Sequence, residues 1–345
     1  VLPDRFPRSM VTGSAQELDV NLTVLAGALP PDLEGHALFV AAVPAGDGTP
    51  VVNGDGMVYR VDFGSARPAL RCRLAKTPCY YADQATRGTD LAFQNRGIVR
   101  MSSRLGTRNQ ANTALVRMGD RVLVTFDGGR PYEIDPLSLE LVTPVGAASE
   151  WVPGTPQVPG VLGGPFQAFF SCAHPFWDDA TGELFCVNYK PELPLLGGGA
   201  TYLVRWDGAG SLERHRLVTR DGHAVHITMS AHQIAVTADY ILVVDTAFHV
   251  EPEQLLFPGV SRPEAQSCTM YLVERRALRR GGGDVPVQAV VLPRPVAHLV
   301  ADYENPGGRA VRPPLRAALS NWVAPLEADG TVVTRDADRP AAPKS

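Results

Sequence analysis

The chain has 345 residues, 45% hydrophobic content and a formal net charge of −4, with 33 glycines and 30 prolines spread along its length. This composition permits a substantial core, and a near-neutral charge without a basic patch argues against a nucleic-acid partner. The scattered glycines and prolines favour many short strands joined by turns.

Strand-like segments rich in β-branched and aromatic residues recur along the chain, bounded by Gly, Asp or Pro. They are Val58–Phe63, Arg121–Phe126, Glu183–Tyr189, Tyr202–Trp206, His232–Thr237 and Tyr240–Asp245. The last two predict a hairpin with Ala238-Asp239 as its turn. Helical periodicity is almost absent, which disfavours βαβ folds. An all-β propeller or sandwich follows, and the length favours a propeller, although no clean repeat appears.

Two segments between the strands predict loops or turns. Gly54-Asp55-Gly56 predicts a turn that positions the next strand, and Val152–Phe170 predicts a long Pro/Gly-rich loop. The apolar side chains of this loop are Val158, Val161, Leu162, Phe166, Phe169 and Phe170. Either the loop contacts a membrane, or it packs over the propeller face.

The five cysteines are odd in number and include no CxxC pair. We therefore expect reduced, buried thiols in a cytoplasmic protein. The first residues lack the plan of a signal peptide, and no apolar run approaches the ~20 residues that span a bilayer. The sequence predicts a soluble protein with at most peripheral membrane contact.

Histidines supply the strongest chemical signal, although any single histidine is more often structural than a metal ligand. The eight are His36, His174, His215, His223, His226, His232, His249 and His298. The close group of His223, His226 and His232 invites a zinc interpretation, but no Cys pair, HExxH motif or carboxylate triad completes it.

Three histidines share a context, a loop that enters a strand. His174 lies in AHPFWDDATGELFCVNY, His232 in MSAHQIAVTADYILVVD and His298 in RPVAHLVADYEN, separated by 58 and 66 residues. These separations exceed one propeller blade of ~40–45 residues, so the three side chains could converge from separate blades at the central axis. Neutral imidazoles suit Fe(II) and leave coordination positions open for O₂.

These contexts resemble those of the carotenoid cleavage oxygenases, in which AHPxxDxxTGEL, HDFxxT and HxxNAYE occur in the same order. Three further stretches are similar to family motifs: LAGALPPDLEGHALFVAAVP, VNGDGMVYRVDF and ANTALVRMGDRVLVTFDGGRPYEIDP. The resemblance covers roughly residues 25 to 340. It implies a seven-bladed β-propeller, with residues 1–345 forming a single propeller domain.

The resemblance also implies a chemistry, that of a non-haem Fe(II) dioxygenase. His174, His232, His298 and a fourth histidine would hold the iron, and a carotenoid or apocarotenoid would be cleaved by O₂ into two carbonyl products. Asp127 stands where the family has a glutamate that accepts the distal N–H of a ligand histidine. An ordinary Asp in a hairpin turn is the alternative for this position.

Departures from the family pattern leave alternatives open. No histidine follows His298, and Gln233-Ile234 replace the family's Asp-Phe. By resemblance the C-terminal blades are missing or incomplete, and we expect lost residues or a partner segment to complete the propeller, because open sheet edges are usually avoided.

The substrate could instead be a stilbene, although the chain has only three lysines to engage a phenol. An inactive propeller that binds a partner is the third alternative.

Overall fold

The computed structural model describes residues 14–44, 53–64, 67–96, 99–155, 164–192, 198–246, 266–293 and 296–299. In these ranges the chain forms β-strands, one α-helix and two short 3₁₀ helices, Ala148–Glu150 and Arg275–Ala277. The strands assemble into five sheets. The predicted all-β class is therefore confirmed.

The first sheet is antiparallel with the strand order β1-β4-β3-β2. Its strands are β1 (Leu18–Asn21), β2 (Gly35–Val43), β3 (Asp55–Phe63) and β4 (Ala69–Leu74). The predicted strand Val58–Phe63 lies within β3, which starts earlier, so the prediction of Gly54-Asp55-Gly56 as a turn is wrong for its last two residues.

Gly56 is required by the close approach of another chain segment. Its N–H donates to the carbonyl oxygen of Gln110 at 2.9 Å. A Cβ atom at position 56 would lie 1.9 Å from the carbonyl oxygen of Ala111. Only glycine allows the two backbones to meet at this distance.

A helix, α1 (Pro78–Thr86), follows the first sheet and was not predicted. It begins with Pro78, a residue whose fixed φ suits the first helical turn. Its two buried residues, Cys79 and Asp83, lie four positions apart. Since one of them is a carboxylate, hydrophobic periodicity could not reveal this face. A small sheet, β5-β6-β7, comes next, with β5 (Gln94–Arg96), β6 (Val99–Ser102) and β7 (Gly106–Thr107).

The next large sheet has the order β11-β10-β9-β8. Its strands are β8 (Ala114–Met118), β9 (Arg121–Thr125), β10 (Tyr132–Ile134) and β11 (Leu141–Pro144). The predicted strand Arg121–Phe126 corresponds to β9. Asp127 therefore lies in the turn that follows β9.

The largest sheet has the order β12-β14-β15-β16-β20, and β13 also pairs with β14. Its strands are β12 (Phe170–Ser171), β13 (Phe176–Asp178), β14 (Glu183–Lys190), β15 (Ala200–Trp206), β16 (Glu213–Val218) and β20 (Gly283–Pro286). β20 runs parallel to β16, whereas the other pairs are antiparallel. Two predicted strands, Glu183–Tyr189 and Tyr202–Trp206, lie in β14 and β15.

The last described sheet has the order β17-β18-β19-β21. Its strands are β17 (Ile234–Val236), β18 (Tyr240–Asp245), β19 (Cys268–Glu274) and β21 (Gln288–Leu292). The predicted hairpin is confirmed, because Ile234 lies opposite Val243. β17 is shorter than predicted and leaves His232 just before the strand.

The main core cluster contains residues of the three larger sheets that follow the helix. Members that show this are Leu123, Phe170, Phe185, Leu203 and Ile241. Phe169 and Phe170 are 5% and 2% exposed, so this end of the predicted loop packs inside the protein. Val158, Val161 and Leu162 lie outside the described residues.

All five cysteines are buried and free, as predicted. The Sγ atoms of Cys172 and Cys186 lie 3.3 Å apart in a thiol hydrogen bond and form no disulfide. In the part of the chain that the structure describes, no helix is long and apolar enough to cross a bilayer.

Candidate metal centre

His174 lies between β12 and β13, where two sheets meet. Its backbone N–H donates to the carbonyl oxygen of His232 at 3.1 Å, and Ile234 N–H donates to the carbonyl oxygen of His174 at 3.5 Å. These bonds form a parallel bridge between His174 and Gln233. The bridge brings two of the predicted ligands side by side.

His232 ends a loop that a carboxylate from β18 holds in place. Asp245 accepts hydrogen bonds from the backbone N–H groups of Thr228 and Met229, both at 2.8 Å. Burial raises the pKa of the Asp245 carboxyl, and these hydrogen bonds oppose the shift. No sequence motif marks the role of Asp245, because its partners are backbone groups.

His298 belongs to the short described segment 296–299 that follows β21. Val296 N–H donates to Cys268 Sγ at 2.9 Å, which ties the segment to β19. On the other side, Gln233 Nε2 donates to the carbonyl oxygen of Leu299 at 2.8 Å. Nδ1 of His298 lies 2.8 Å from Gln233 Oε1. The sequence marked Gln233 only as a departure from a family pattern, not as a contact.

The three predicted ligands converge. The ring centroids of His174, His232 and His298 lie 4.8, 5.1 and 5.0 Å from one another, with the planes steeply inclined. One potential ligand atom from each residue lies within 4.8 Å of the other two. Among the described residues, this is the one group of three or more such side chains found close enough to hold a metal.

The environment favours the neutral form of the His174 and His298 imidazoles. Burial lowers the pKa of His174 to about 3, and the charges of His232 and His298 add to the shift. Burial also lowers the pKa of His298, helped by His232 and opposed by Asp127. Neutral imidazole is the form that binds a metal ion, so the cluster favours a cation over bound protons.

Asp127 contacts a histidine of the cluster. Its Oδ1 and Oδ2 lie 2.9 and 3.1 Å from Nδ1 of His232, and the two residues are only 6% and 4% exposed. With Nδ1 engaged, Nε2 is the nitrogen of His232 that would bind a metal. Asp127 also lies in a turn, as the alternative of an ordinary hairpin-turn Asp predicts. The turn position and the contact with His232 are therefore compatible.

The other described histidines lie outside the cluster. His223 is exposed beside Asp221, with Nε2 3.3 Å from the carboxylate. Nδ1 of His226 lies 3.6 Å from Oε2 of Glu192. His215 is buried in β16. His249 is outside the described residues. The zinc interpretation of His223, His226 and His232 finds no support, because only His232 belongs to the cluster.

The donor set fits a divalent transition metal. Three imidazoles suit zinc, copper, nickel or iron, and none of the clustered ligand atoms is a carboxylate oxygen. Hydrogen bonds that Nδ1 of His232 donates to Asp127 and Nδ1 of His298 donates to Gln233 orient two of the three rings. Such outer partners are typical of metal-binding histidines.

Asp127→Asn is expected to weaken metal binding by roughly 10–100-fold, because a carboxylate that orients a ligand histidine would be lost. Isothermal titration with Co(II) measures the affinity, and circular dichroism checks the fold. Asp127→Glu keeps the charge, and Asp120→Asn changes an exposed turn at the other end of β9 as a matched control. An unchanged affinity in Asp127→Asn would remove this role.

The sheets and the histidine cluster define a β-propeller protein with a candidate metal centre. The chain belongs to the family described as RPE65, retinal pigment epithelial membrane protein, whose sequence pattern matches residues 12–332. This confirms the resemblance to the carotenoid oxygenases, and the solved structures that the chain matches are seven-bladed propellers.

Similar proteins include oxygenases of two kinds. Apocarotenoid-15,15'-oxygenase of Synechocystis sp. is 26% identical over 298 residues, which cover 79% of this chain and 55% of that protein. Resveratrol cleavage oxygenase 1 of Chaetomium globosum is 28% identical over 201 residues, covering 54% and 31%. The chain thus spans about half the length of the first relative and about a third of the second.

Solved structures share the fold. A variant of the Synechocystis apocarotenoid oxygenase in which aspartate replaces a glutamate matches with a TM-score of 0.62 at 19% identity, covering 86% of this chain and 60% of that one. Lignostilbene dioxygenase of Pseudomonas brassicacearum matches with a TM-score of 0.60 at 19% identity, covering 84% and 57%.

Proposed function

We propose that the protein is an Fe(II)-dependent dioxygenase that cleaves a conjugated carbon–carbon double bond of a carotenoid or apocarotenoid into two carbonyl products. The observation that carries the proposal is the convergence of His174, His232 and His298, with Asp127 on one of them. Membership of the family and the similar apocarotenoid oxygenase support an oxygenase activity.

The chain's own residues would have separate roles. His174, His232 and His298 would hold the ion, and Asp127 would keep His232 in the tautomer that presents Nε2. Bound there, Fe(II) would supply the redox chemistry that lets O₂ react with an electron-rich alkene. Each alkene carbon receives one oxygen atom of O₂, so the reaction balances without a keto acid or NADH.

The proposal extends beyond the described residues. No histidine follows His298 in this sequence, and we propose that a further segment, from a longer protein or a partner, completes the ligand set and the propeller. The solved structures of which the chain covers about 60% are consistent with such a segment. A single domain over residues 1–345, a cytoplasmic location and peripheral membrane contact stay predictions.

A stilbene is the second candidate substrate. Three resveratrol cleavage oxygenases and a lignostilbene dioxygenase are among the similar proteins, which favours this class. A resveratrol-type substrate would carry phenol groups that need polar partners at the site. An inactive propeller that binds a partner without metal is the remaining alternative, and metal content separates it from both enzymes.

Alkene cleavage is expected to depend completely on O₂. Iron-loaded protein should bleach the visible absorbance of an apocarotenoid in air and leave it unchanged under argon. Mass spectrometry after reaction in ¹⁸O₂ should find one labelled oxygen atom in each carbonyl product when exchange with water is suppressed. Parallel assays with a carotenoid and with resveratrol identify the substrate class.

Two results would contradict this mechanism. One is a requirement for 2-oxoglutarate or NADH, because neither enters the balanced reaction. The other is inertness of the iron-loaded protein, completed at its C-terminus, towards all three substrates, which would favour the inactive binding protein.

A further inference from the structure

Gln233 makes three side-chain hydrogen bonds to the segment that carries His298. Its Nε2 donates to the carbonyl oxygen of Leu299 at 2.8 Å, and its Oε1 accepts from the N–H of Leu299 at 3.3 Å. The same Oε1 lies 2.8 Å from Nδ1 of His298. One amide therefore contacts two consecutive residues.

The two backbone contacts fix the orientation of the amide. A carbonyl oxygen only accepts a hydrogen bond, and a backbone N–H only donates one. The amide nitrogen of Gln233 must therefore face the carbonyl oxygen of Leu299, and its oxygen must face the N–H. This assignment comes from chemistry alone and leaves Oε1, an acceptor, beside the imidazole of His298.

An acceptor at this place decides the tautomer of His298. Nδ1 has to carry the proton in order to donate to Oε1. In a neutral imidazole the other nitrogen, Nε2, then has the lone pair that binds a metal.

We propose that Gln233 is a positioning residue of the metal centre, whose amide holds His298 as the Nδ1–H tautomer and ties its segment to the other two ligands. The backbone of Gln233 forms the parallel bridge to His174, and Gln233 directly follows His232. One residue thereby connects all three histidines. This inference rests on the metal centre of the proposed function.

An amide suits this position better than a carboxylate. A glutamate would place a second oxygen against the carbonyl oxygen of Leu299, where Nε2 of Gln233 now donates. Two acceptors in contact repel, so a glutamate would lose the hydrogen bond that the amide donates to Leu299. His232 thus receives a charged partner in Asp127, and His298 receives a neutral partner in Gln233.

The experiment compares the full chain with Gln233→Met, which keeps the side-chain length but removes both polar groups. Gln288→Met, at an exposed position of β21, is the matched control. ¹⁵N NMR of the histidine rings in metal-free protein at pH 7.5 reports the tautomer, and titration with Co(II) reports the affinity. Gln233→Glu is the second variant, in case the first does not fold.

In the wild type and in Gln288→Met, His298 should be the Nδ1–H tautomer. In Gln233→Met it should shift towards the Nε2–H tautomer, and the Co(II) affinity should fall by roughly 10–100-fold. Gln233→Glu should also bind Co(II) more weakly. A merely structural role would leave the tautomer of His298 unchanged.

The inference is overturned if wild-type His298 carries its proton on Nε2, a result that needs no variant. It is equally overturned if Gln233→Met leaves both the tautomer and the affinity unchanged. If no metal binds to the wild type but the tautomer shifts in Gln233→Met, the positioning role holds and the metal centre of the proposed function fails. The two failures are therefore distinguishable.

Discussion

Replacement of His174, His232 or His298 by alanine is expected to abolish tight iron binding, from about one Fe(II) per chain in the wild type to almost none. The three side chains supply all the clustered ligand atoms in the described residues. Loss of one leaves two imidazoles, and a pair of neutral ligands retains a metal ion poorly during dialysis. The effect should be similar at each position because the ring separations are nearly equal.

Inductively coupled plasma mass spectrometry after anaerobic loading and dialysis measures the iron. His223→Ala and His226→Ala are matched controls, since both histidines lie outside the cluster. These two variants should retain the full iron content. Our ligand set is wrong if His223 or His226 proves essential while His298 is dispensable.

Arg108→Met is expected to lower the free energy of unfolding by about 3–5 kcal/mol, the typical cost of breaking a buried ion pair. Arg108 is 2% exposed and donates to Asp83 on α1 and to Asp55 on β3, the latter at 2.5 Å. Without the guanidinium, two carboxylates would remain in the interior with fewer donors. Arg108 joins α1 to the first sheet through these two carboxylates. We therefore expect α1 to lose helical structure when the arginine is replaced.

The deficit of Arg108→Met should shrink as the pH falls. Burial raises the pKa of Asp55 above its ordinary value, and Arg108 opposes the shift most strongly. Removing Arg108 raises that pKa further. A carboxyl whose folded-state pKa is raised lowers the stability of the protein when the pH is above the unfolded-state pKa of that carboxyl. This penalty is lost as the pH falls through the folded-state pKa.

Urea unfolding at pH 7.5 and at pH 5.5, each relative to the wild type, measures both effects. Arg104→Met is the control, because Arg104 and Asp90 form an exposed pair at 3.8 Å. Exposed pairs contribute about 0–1 kcal/mol. An equally small loss in Arg108→Met would show that the buried pair is dispensable for stability.

The sequence predicted that these three histidines converge, because their local contexts carry the information. His174 and His232 each lie just before a strand, and two strand-like runs on either side of Ala238-Asp239 predicted the hairpin. Contacts between segments far apart in the sequence could not be predicted from local patterns. Gln233 contacts residues about 65 positions later, and the buried carboxylate of Asp83 hid the periodicity of α1. Gly56 likewise meets Ala111, which no local pattern marks.

Because the proposed ligands lie 58 and 66 residues apart in the sequence, we expect the free metal concentration to affect the stability of the fold. The unfolded chain has no preformed site, so a cation that binds the native cluster shifts the folding equilibrium by mass action. At a free metal concentration of 100 times Kd, the native state gains about 2.7 kcal/mol. The thermal midpoint should therefore rise with each tenfold increase in free metal, and a chelator added during purification should lower it.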